Sequence, residues 1–233
     1  MNSPFKDWKA ALQNEANRNP NLTIDRLEYG SDNAFNFLDS ENIKIQVLGP
    51  LTEIANNKPV LPYLHREHSK SYSASHTING HSIVLKLAYG NVKFLFGADL
   101  NAESEINLLG RIRDNGISIS SEILKVPHHG SSDFNPGILE AIRPVVSVIS
   151  SGDENEAKEY IHPRAGLVGA LGKYSRASVE KPLVYVTEMV AFFKKIGHVR
   201  MHKYSGKPGQ KESYKFEVDN LGNIEFAEET EVL

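Results

Sequence analysis

The chain combines short runs that are apolar on one or both faces with segments that have the spacing of an amphipathic helix. Clean alternation, with Ile43, Ile45 and Val47 on one side, predicts a half-buried strand, and continuous apolar runs predict buried strands. The predicted strands are residues 43–48, 82–87, 92–96, 123–126, 145–149 and 183–187. Beyond residue 82 strands and helices alternate, which predicts a layered α/β domain.

Helical spacing predicts the elements that precede and separate these strands. Asn101 is a candidate N-cap of a helix that Gly116 ends, and Asn135, followed by proline, marks the start of another. Further helices are predicted for residues 4–16 and after His162. The remaining features are a strand predicted at residues 23–27, a long loop at 51–76 and a terminal hairpin within 205–233.

Composition places the chain among ordinary globular proteins. Its 233 residues, 40% of them hydrophobic, are enough to bury a core, and a single domain over residues 1–233 is predicted. The 26 basic and 29 acidic residues give a net charge of −3, which neither indicates nor excludes a nucleic-acid substrate. No stretch approaches the ~20 apolar residues of a membrane span. The expectation is therefore a cytoplasmic protein with no membrane partner.

The residues that carry chemistry follow two of the predicted buried strands. Asp99 comes after the strand at 92–96, and the pair His128 and His129 comes after the strand at 123–126. If these strands are neighbours in one sheet, the side chains meet at its edge, where α/β proteins place their active sites. Since the chain has no cysteine, a metal ion there would be held by His, Asp or Glu.

Each candidate residue has a structural interpretation beside the functional one. Asp99 can cap the following helix, and His162 alone is typical of a surface histidine before proline. Two adjacent imidazoles at a strand end have no obvious packing purpose, so His128 and His129 favour metal binding or acid–base chemistry. Ser131, a conceivable nucleophile, lacks the Gly-x-Ser-x-Gly elbow, and the histidines within residues 65–81 lack the spacing of a zinc-protease helix.

Five segments together carry a family resemblance: residues 79–87, 94–99, 124–131, 148–152 and 162–163. In order and spacing they resemble the metallo-β-lactamase fold hydrolases, and most closely the branch that includes the soluble domain of ComEC-type DNA-uptake proteins. The resemblance covers residues 43–187. It implies an αββα sandwich, a centre of one or two metal ions, usually zinc with manganese as the second choice, and hydrolysis of a phosphodiester or other ester by a metal-bound hydroxide.

The same resemblance assigns roles to the candidate residues. Asp99 matches the aspartate that typically bridges two metal ions, the pair His128 and His129 matches the histidine motif beside the centre, and His162 matches the late histidine of the family. All four are thereby candidate metal ligands, and Asp99, His128 and His162 are candidate catalytic residues. Which of the histidines binds metal directly and which binds substrate stays open at this point.

The chain departs from the family in one element, the motif His-x-His-x-Asp-His after an early strand, which its histidines do not form. The resemblance therefore implies a C-terminal portion of the fold, incomplete in its N-terminal half. Such a portion would be a truncated product, part of a split gene, or a chain completed by a partner that supplies the other half. Uncovered apolar strands would then favour association.

Two functional hypotheses follow from the sequence. The first is a metal-dependent hydrolase with a phosphodiester substrate, which includes nucleic acid. The alternative is a catalytically inactive fragment or an interaction module. A metal-free serine hydrolase that uses Ser131 is a third and weaker hypothesis.

Overall fold

The computed structural model describes residues 3–65, 73–152, 162–187, 199–201, 212–218 and 224–229. The helices are α1 (Ser3–Arg18), α2 (Ala74–Gly80), α3 (Ala102–Asp114), α4 (Pro136–Ile142) and α5 (Ala165–Tyr174), and short 3-10 segments occupy Asp32–Glu41 and Pro127–Gly130. The strands are β1 (Ile43–Gly49), β2 (Glu53–Ala55), β3 (Lys58–Val60), β4 (Val84–Tyr89), β5 (Val92–Phe96), β6 (Ile123–Lys125), β7 (Val146–Ile149), β8 (Leu183–Val186), β9 (Val199–Met201), β10 (Glu212–Val218) and β11 (Ile224–Glu229).

The predicted α/β class is confirmed by a six-stranded mixed sheet flanked by helices. Its strand order is β1-β4-β5-β6-β7-β8. The first three strands pair antiparallel, and β5 to β8 pair parallel. Two smaller sheets are separate from it: the hairpin β2–β3 and a three-stranded sheet in the order β11-β10-β9. Parallel strands are joined through helices, and α3, α4 and α5 fill those connections.

One face of the large sheet forms the core with the helices. Leu95, Leu124 and Ile149 lie on consecutive parallel strands and are buried in a single apolar cluster. The helices add the residues on their inward-facing sides to the same cluster: Leu108, Ile112, Ile138, Leu139, Ile142, Leu167 and Leu171. Helix α3 begins at the predicted cap, where the side chain of Asn101 accepts a hydrogen bond from the backbone of Ser104, and Asn135 caps α4 in the same way.

The other face of the sheet is apolar as well, except at Lys125. Two rows of register partners cross all six strands on this face, and we call these rows the open face. The first row is Ile45, Leu87, Phe94, Ile123, Val146 and Leu183. The second row is Val47, Leu85, Phe96, Lys125, Val148 and Tyr185. Except for the buried Val47, these side chains are half-buried or exposed, so no helix of the described residues covers them as α3, α4 and α5 cover the opposite face.

Two regions before β4 differ from the sequence-based prediction. Residues 23–27 form no strand, because no neighbouring strand pairs with them, and Ile24 is exposed. The long loop predicted at 51–76 contains the hairpin β2–β3, whose turn residues Asn56 and Asn57 adopt positive φ, as well as the start of α2. Of the helices in the described residues, none is long and apolar enough to cross a membrane.

Candidate functional site

Strands β5 and β6 end side by side and carry the predicted site residues beyond their ends. They are parallel neighbours, with Phe96 opposite Lys125. Asp99 follows Phe96 by three positions, and His128 follows Lys125 by the same number. Because parallel strands end at the same edge of a sheet, both loops lie at the carboxyl edge, where ligands bind in open α/β sheets.

The loops at this edge have an unusual backbone. Ala98 has a φ of 47°, His128 of 49° and His129 of 53°, values in the left-handed region that residues with a Cβ rarely adopt. A Cβ on Gly97 would lie 2.5 Å from the ring of Pro127, so the two loops are in direct contact. The backbone N–H of His128 donates to the carbonyl of Ala98 over 2.8 Å. Such local strain is typical of functional sites and is held here by the contact between the loops.

The first pair of candidate side chains consists of Asp99 and His129. Nε2 of His129 lies 3.5 Å from Oδ1 of Asp99, and both side chains are about half exposed, at 52% and 43%. On the other side of the ring, Nδ1 of His129 lies 2.7 Å from the carbonyl oxygen of Ser150, just after β7. A carbonyl oxygen only accepts, so Nδ1 carries the proton and donates it.

The second pair consists of His128 and His162. Their ring centroids are 6.1 Å apart and their planes are tilted by 48°. The Nδ1 atom of each ring is buried and has no hydrogen-bond partner among the described residues. Gly130 allows this approach, because a Cβ there would lie 2.7 Å from the side chain of Pro163, next to His162.

The surroundings of His162 favour its neutral form. Burial lowers the pKa of His162 below its ordinary value, and the positive charge of Arg164 lowers it further, followed by His128 and His129. The folded protein therefore holds His162 unprotonated to a lower pH than a solvated histidine. A neutral imidazole retains a lone pair that can bind a metal ion or accept a proton.

The four predicted ligands thus lie at one edge of the sheet as two pairs. Within the part of the chain that the structure describes, no group of three or more His, Asp or Glu side chains is arranged to hold a metal ion. Two histidines of the 65–81 segment, which were not predicted as ligands, have other partners: Nε2 of His76 lies 2.8 Å from Glu103, and Nε2 of His81 contacts the carbonyl of Pro62. His68 lies outside the described residues.

Three further residues complete the surroundings of these pairs and were not predicted from the sequence. Asn79, on α2, approaches Nε2 of His128 with its amide nitrogen at 3.4 Å. Oγ of Ser82 accepts from the backbone N–H of Asp99 over 3.0 Å. The third is Ser150, through its carbonyl. Small polar residues before and after strands are too frequent in sequences to be selected without the fold.

The chain was compared with protein-family models, with curated proteins and with solved structures, and none of them matches it.

Proposed function

We propose that the carboxyl edge of the sheet is part of the active site of a metal-dependent hydrolase with the metallo-β-lactamase fold, acting on phosphodiester or other ester bonds. The observation that carries this proposal is the contact between Asp99 and His129. A carboxylate and an imidazole nitrogen face each other at 3.5 Å on adjoining strand ends. Their backbones are held in place by the contact between the two loops.

The donor chemistry of this pair fits zinc, and manganese less closely. Zinc is bound by imidazole nitrogen and carboxylate oxygen, and its histidine ligands usually donate their other N–H to a carbonyl or a carboxylate. His129 has this arrangement, since Nδ1 bonds the carbonyl of Ser150 and Nε2 faces Asp99. Zinc takes about four ligands. Because the pair supplies two, the proposal requires additional ligands beyond it.

The open face supports the finer part of the fold proposal. An αββα sandwich contains two sheets packed face to face, with helices outside each. The large sheet has helices on one face and rows of apolar side chains on the other, as one half of such a sandwich would. Parallel strands are normally buried on both faces. We therefore propose that a second β-layer, supplied by a partner chain, covers the open face and completes the ligand set.

The residues at the edge have separate tasks in the proposed reaction. A bound zinc ion would supply a Lewis acid and lower the pKa of a coordinated water towards neutrality. Asp99 and His129 would hold that ion. His162, kept neutral by burial, would accept a proton or steady a developing negative charge by hydrogen bonding. The strained loops would limit movement of these side chains during the reaction.

The proposal is tested by isothermal titration of the protein with zinc. We expect binding that Asp99→Ala and His129→Ala each weaken by at least ~10-fold, the loss that removal of even an outer-shell partner causes. Asp25→Ala is the matched control, because Asp25 is an exposed aspartate far along the chain from the two loops. Cleavage of a chromogenic phosphodiester should then require both the metal and the partner chain, and stop on chelation.

The opposite result has a defined meaning. If zinc produces no binding heat even with the partner chain present, or if Asp99→Ala and Asp25→Ala bind it equally, the edge is not a metal centre. The alternative of a catalytically inactive fragment or an interaction module would then replace the hydrolase.

A further inference from the structure

The two adjacent histidines bind to different neighbours through different ring nitrogens. His129 uses Nδ1, which donates to the carbonyl of Ser150, and its Nε2 faces Asp99. His128 uses Nε2, which faces the amide nitrogen of Asn79, and its Nδ1 is buried without a partner among the described residues. In both rings the neighbour determines which nitrogen carries the proton.

The neighbour of His128 fixes its proton on Nδ1. The amide nitrogen of asparagine is a donor with no acceptor capacity, so Nε2 of His128 must accept with its lone pair. In the neutral ring the proton then lies on Nδ1. A buried N–H without a partner is rare in folded proteins. An oxygen atom that binds at the edge and reaches this atom would supply the missing acceptor.

Asn79 is itself held by a small network of hydrogen bonds that includes the Asp99 loop. The hydroxyl of Ser82 donates to the carbonyl of Asn79 over 2.7 Å and accepts from the backbone N–H of Asp99 over 3.0 Å. The backbone N–H of His128 connects the second loop to this network by donating to the carbonyl of Ala98. Movement of Asn79 would therefore disturb both loops.

Close packing also limits the position of Asn79. Gly80, the next residue, ends α2, and a Cβ there would lie 2.2 Å from Leu64 and 2.3 Å from Ser104. Only glycine permits α2 to approach α3 this closely. The helix end that carries Asn79 is thus fixed against the helix that follows Asp99.

We propose that Asn79 is a positioning residue that gives His128 and His129 opposite roles. His129 presents the lone pair of Nε2 to a metal ion beside Asp99. His128 presents the N–H of Nδ1 to an oxygen of the substrate, such as an anionic phosphodiester oxygen, and does not bind the metal. This division of roles rests on the proposed function. The position of the proton on each histidine ring, from which it is inferred, is a property of the metal-free protein.

The protonation state is measured directly by long-range ¹H–¹⁵N correlation spectra of the ¹⁵N-labelled, metal-free protein. The pH is set high enough that both rings are neutral, and the signals are assigned with His128→Gln and His129→Gln. We expect both rings to carry the proton on Nδ1. A wild-type His128 that carries its proton on Nε2 would overturn the proposal without any variant at position 79.

Substitution at position 79 supplies the causal test. An ionised carboxylate only accepts, so Asn79→Asp should move the proton of neutral His128 to Nε2. Asn79→Gln, which retains the amide, should restore Nδ1–H. The signals of His129 should not change in either variant, which also shows that both variants are folded. If Asn79→Asp leaves the His128 proton on Nδ1, Asn79 does not set the tautomer.

Ligand binding separates this proposal from the proposed function. With inorganic phosphate as the probe, we expect the Nδ1–H signal of His128 to shift on titration, and Asn79→Asp to weaken phosphate binding by at least ~10-fold. The exposed-turn variant Asn57→Asp adds the same charge and should bind phosphate as the wild-type does. Phosphate that leaves the His128 signal unmoved contradicts the donor role. Failure to bind zinc would contradict the proposed function and the metal-binding role of His129, but not the tautomer of His128 or its role as a donor.

Discussion

The two faces of the six-stranded sheet carry similar side chains and differ in what covers them. On the covered face, Leu95, Leu124 and Ile149 are buried beneath α3, α4 and α5. On the open face, their strand neighbours are also apolar except Lys125, yet Phe96, Leu183 and Tyr185 are exposed by 40%, 45% and 58%. The comparison shows that alternation along a strand reveals which residues share a face. It does not reveal which face the helices choose.

Chain topology explains the difference. From β5 to β8 each strand lies directly beside the one before it, and in the described residues each connection contains one α-helix. Parallel crossovers are right-handed in almost all proteins. Successive crossovers that advance in one direction with one hand place all their helices on the same face. The opposite face is left for another layer, which agrees with the proposed sandwich.

The largest expected effect comes from truncating two adjacent residues of β6 that face opposite ways. Leu124 is fully buried in the core, so Leu124→Ala should lower the free energy of unfolding by about 2–5 kcal/mol through lost burial and a cavity. Ile123, on the open face, is half-buried, and Ile123→Ala should cost about 1 kcal/mol. Urea unfolding measures both. Equal losses would mean that the open face is covered as tightly as the core.

The second expected effect concerns Glu105 of α3, a carboxyl buried on the helix side of the sheet. Burial raises the pKa of Glu105 to about 8, opposed by a hydrogen bond from the backbone of Asn135 and assisted by Asp133. Because the folded pKa exceeds the ordinary 4.5, the folded state binds the proton more tightly. The stabilisation that this tighter proton binding gives the folded protein is present in full below pH 4.5 and is lost as the pH rises towards 8.

A pH series of unfolding curves checks this second effect. Between pH 6 and 8 the ionisation of Glu105 should lower the free energy of unfolding of the wild-type protein by up to about 1.4 kcal/mol per pH unit. Glu105→Gln should lack this contribution. Glu140→Gln, which alters an exposed carboxyl on α4, is the matched control and should retain the wild-type slope. A wild-type slope in Glu105→Gln would show that Glu105 ionises in the folded protein as it does in water.

The sequence predicted much of this fold and less of the site. Apolar runs and the caps Asn101 and Asn135 correctly indicated the central strands and α3 and α4, because these signals are local. The strand predicted at residues 23–27 is wrong, since strand formation depends on a partner elsewhere in the chain. Asn79 could not have been predicted, because its contact with His128 joins residues 49 positions apart.

The smallest effect on stability is expected for a substitution on the open face, where dye binding is a more informative measurement than unfolding. Phe96 stacks on Phe94, with centroids 6.4 Å apart, and a polar Phe96→Gln should change the free energy of unfolding by less than about 1 kcal/mol. An apolar fluorescent dye that binds exposed hydrophobic patches should bind the wild-type protein and bind Phe96→Gln distinctly less. Ile54→Gln is the control, because Ile54 is 72% exposed on the separate hairpin β2–β3. If both variants reduce dye binding equally, the open face is not the patch that binds the dye, and the second layer proposed to cover it loses its main support.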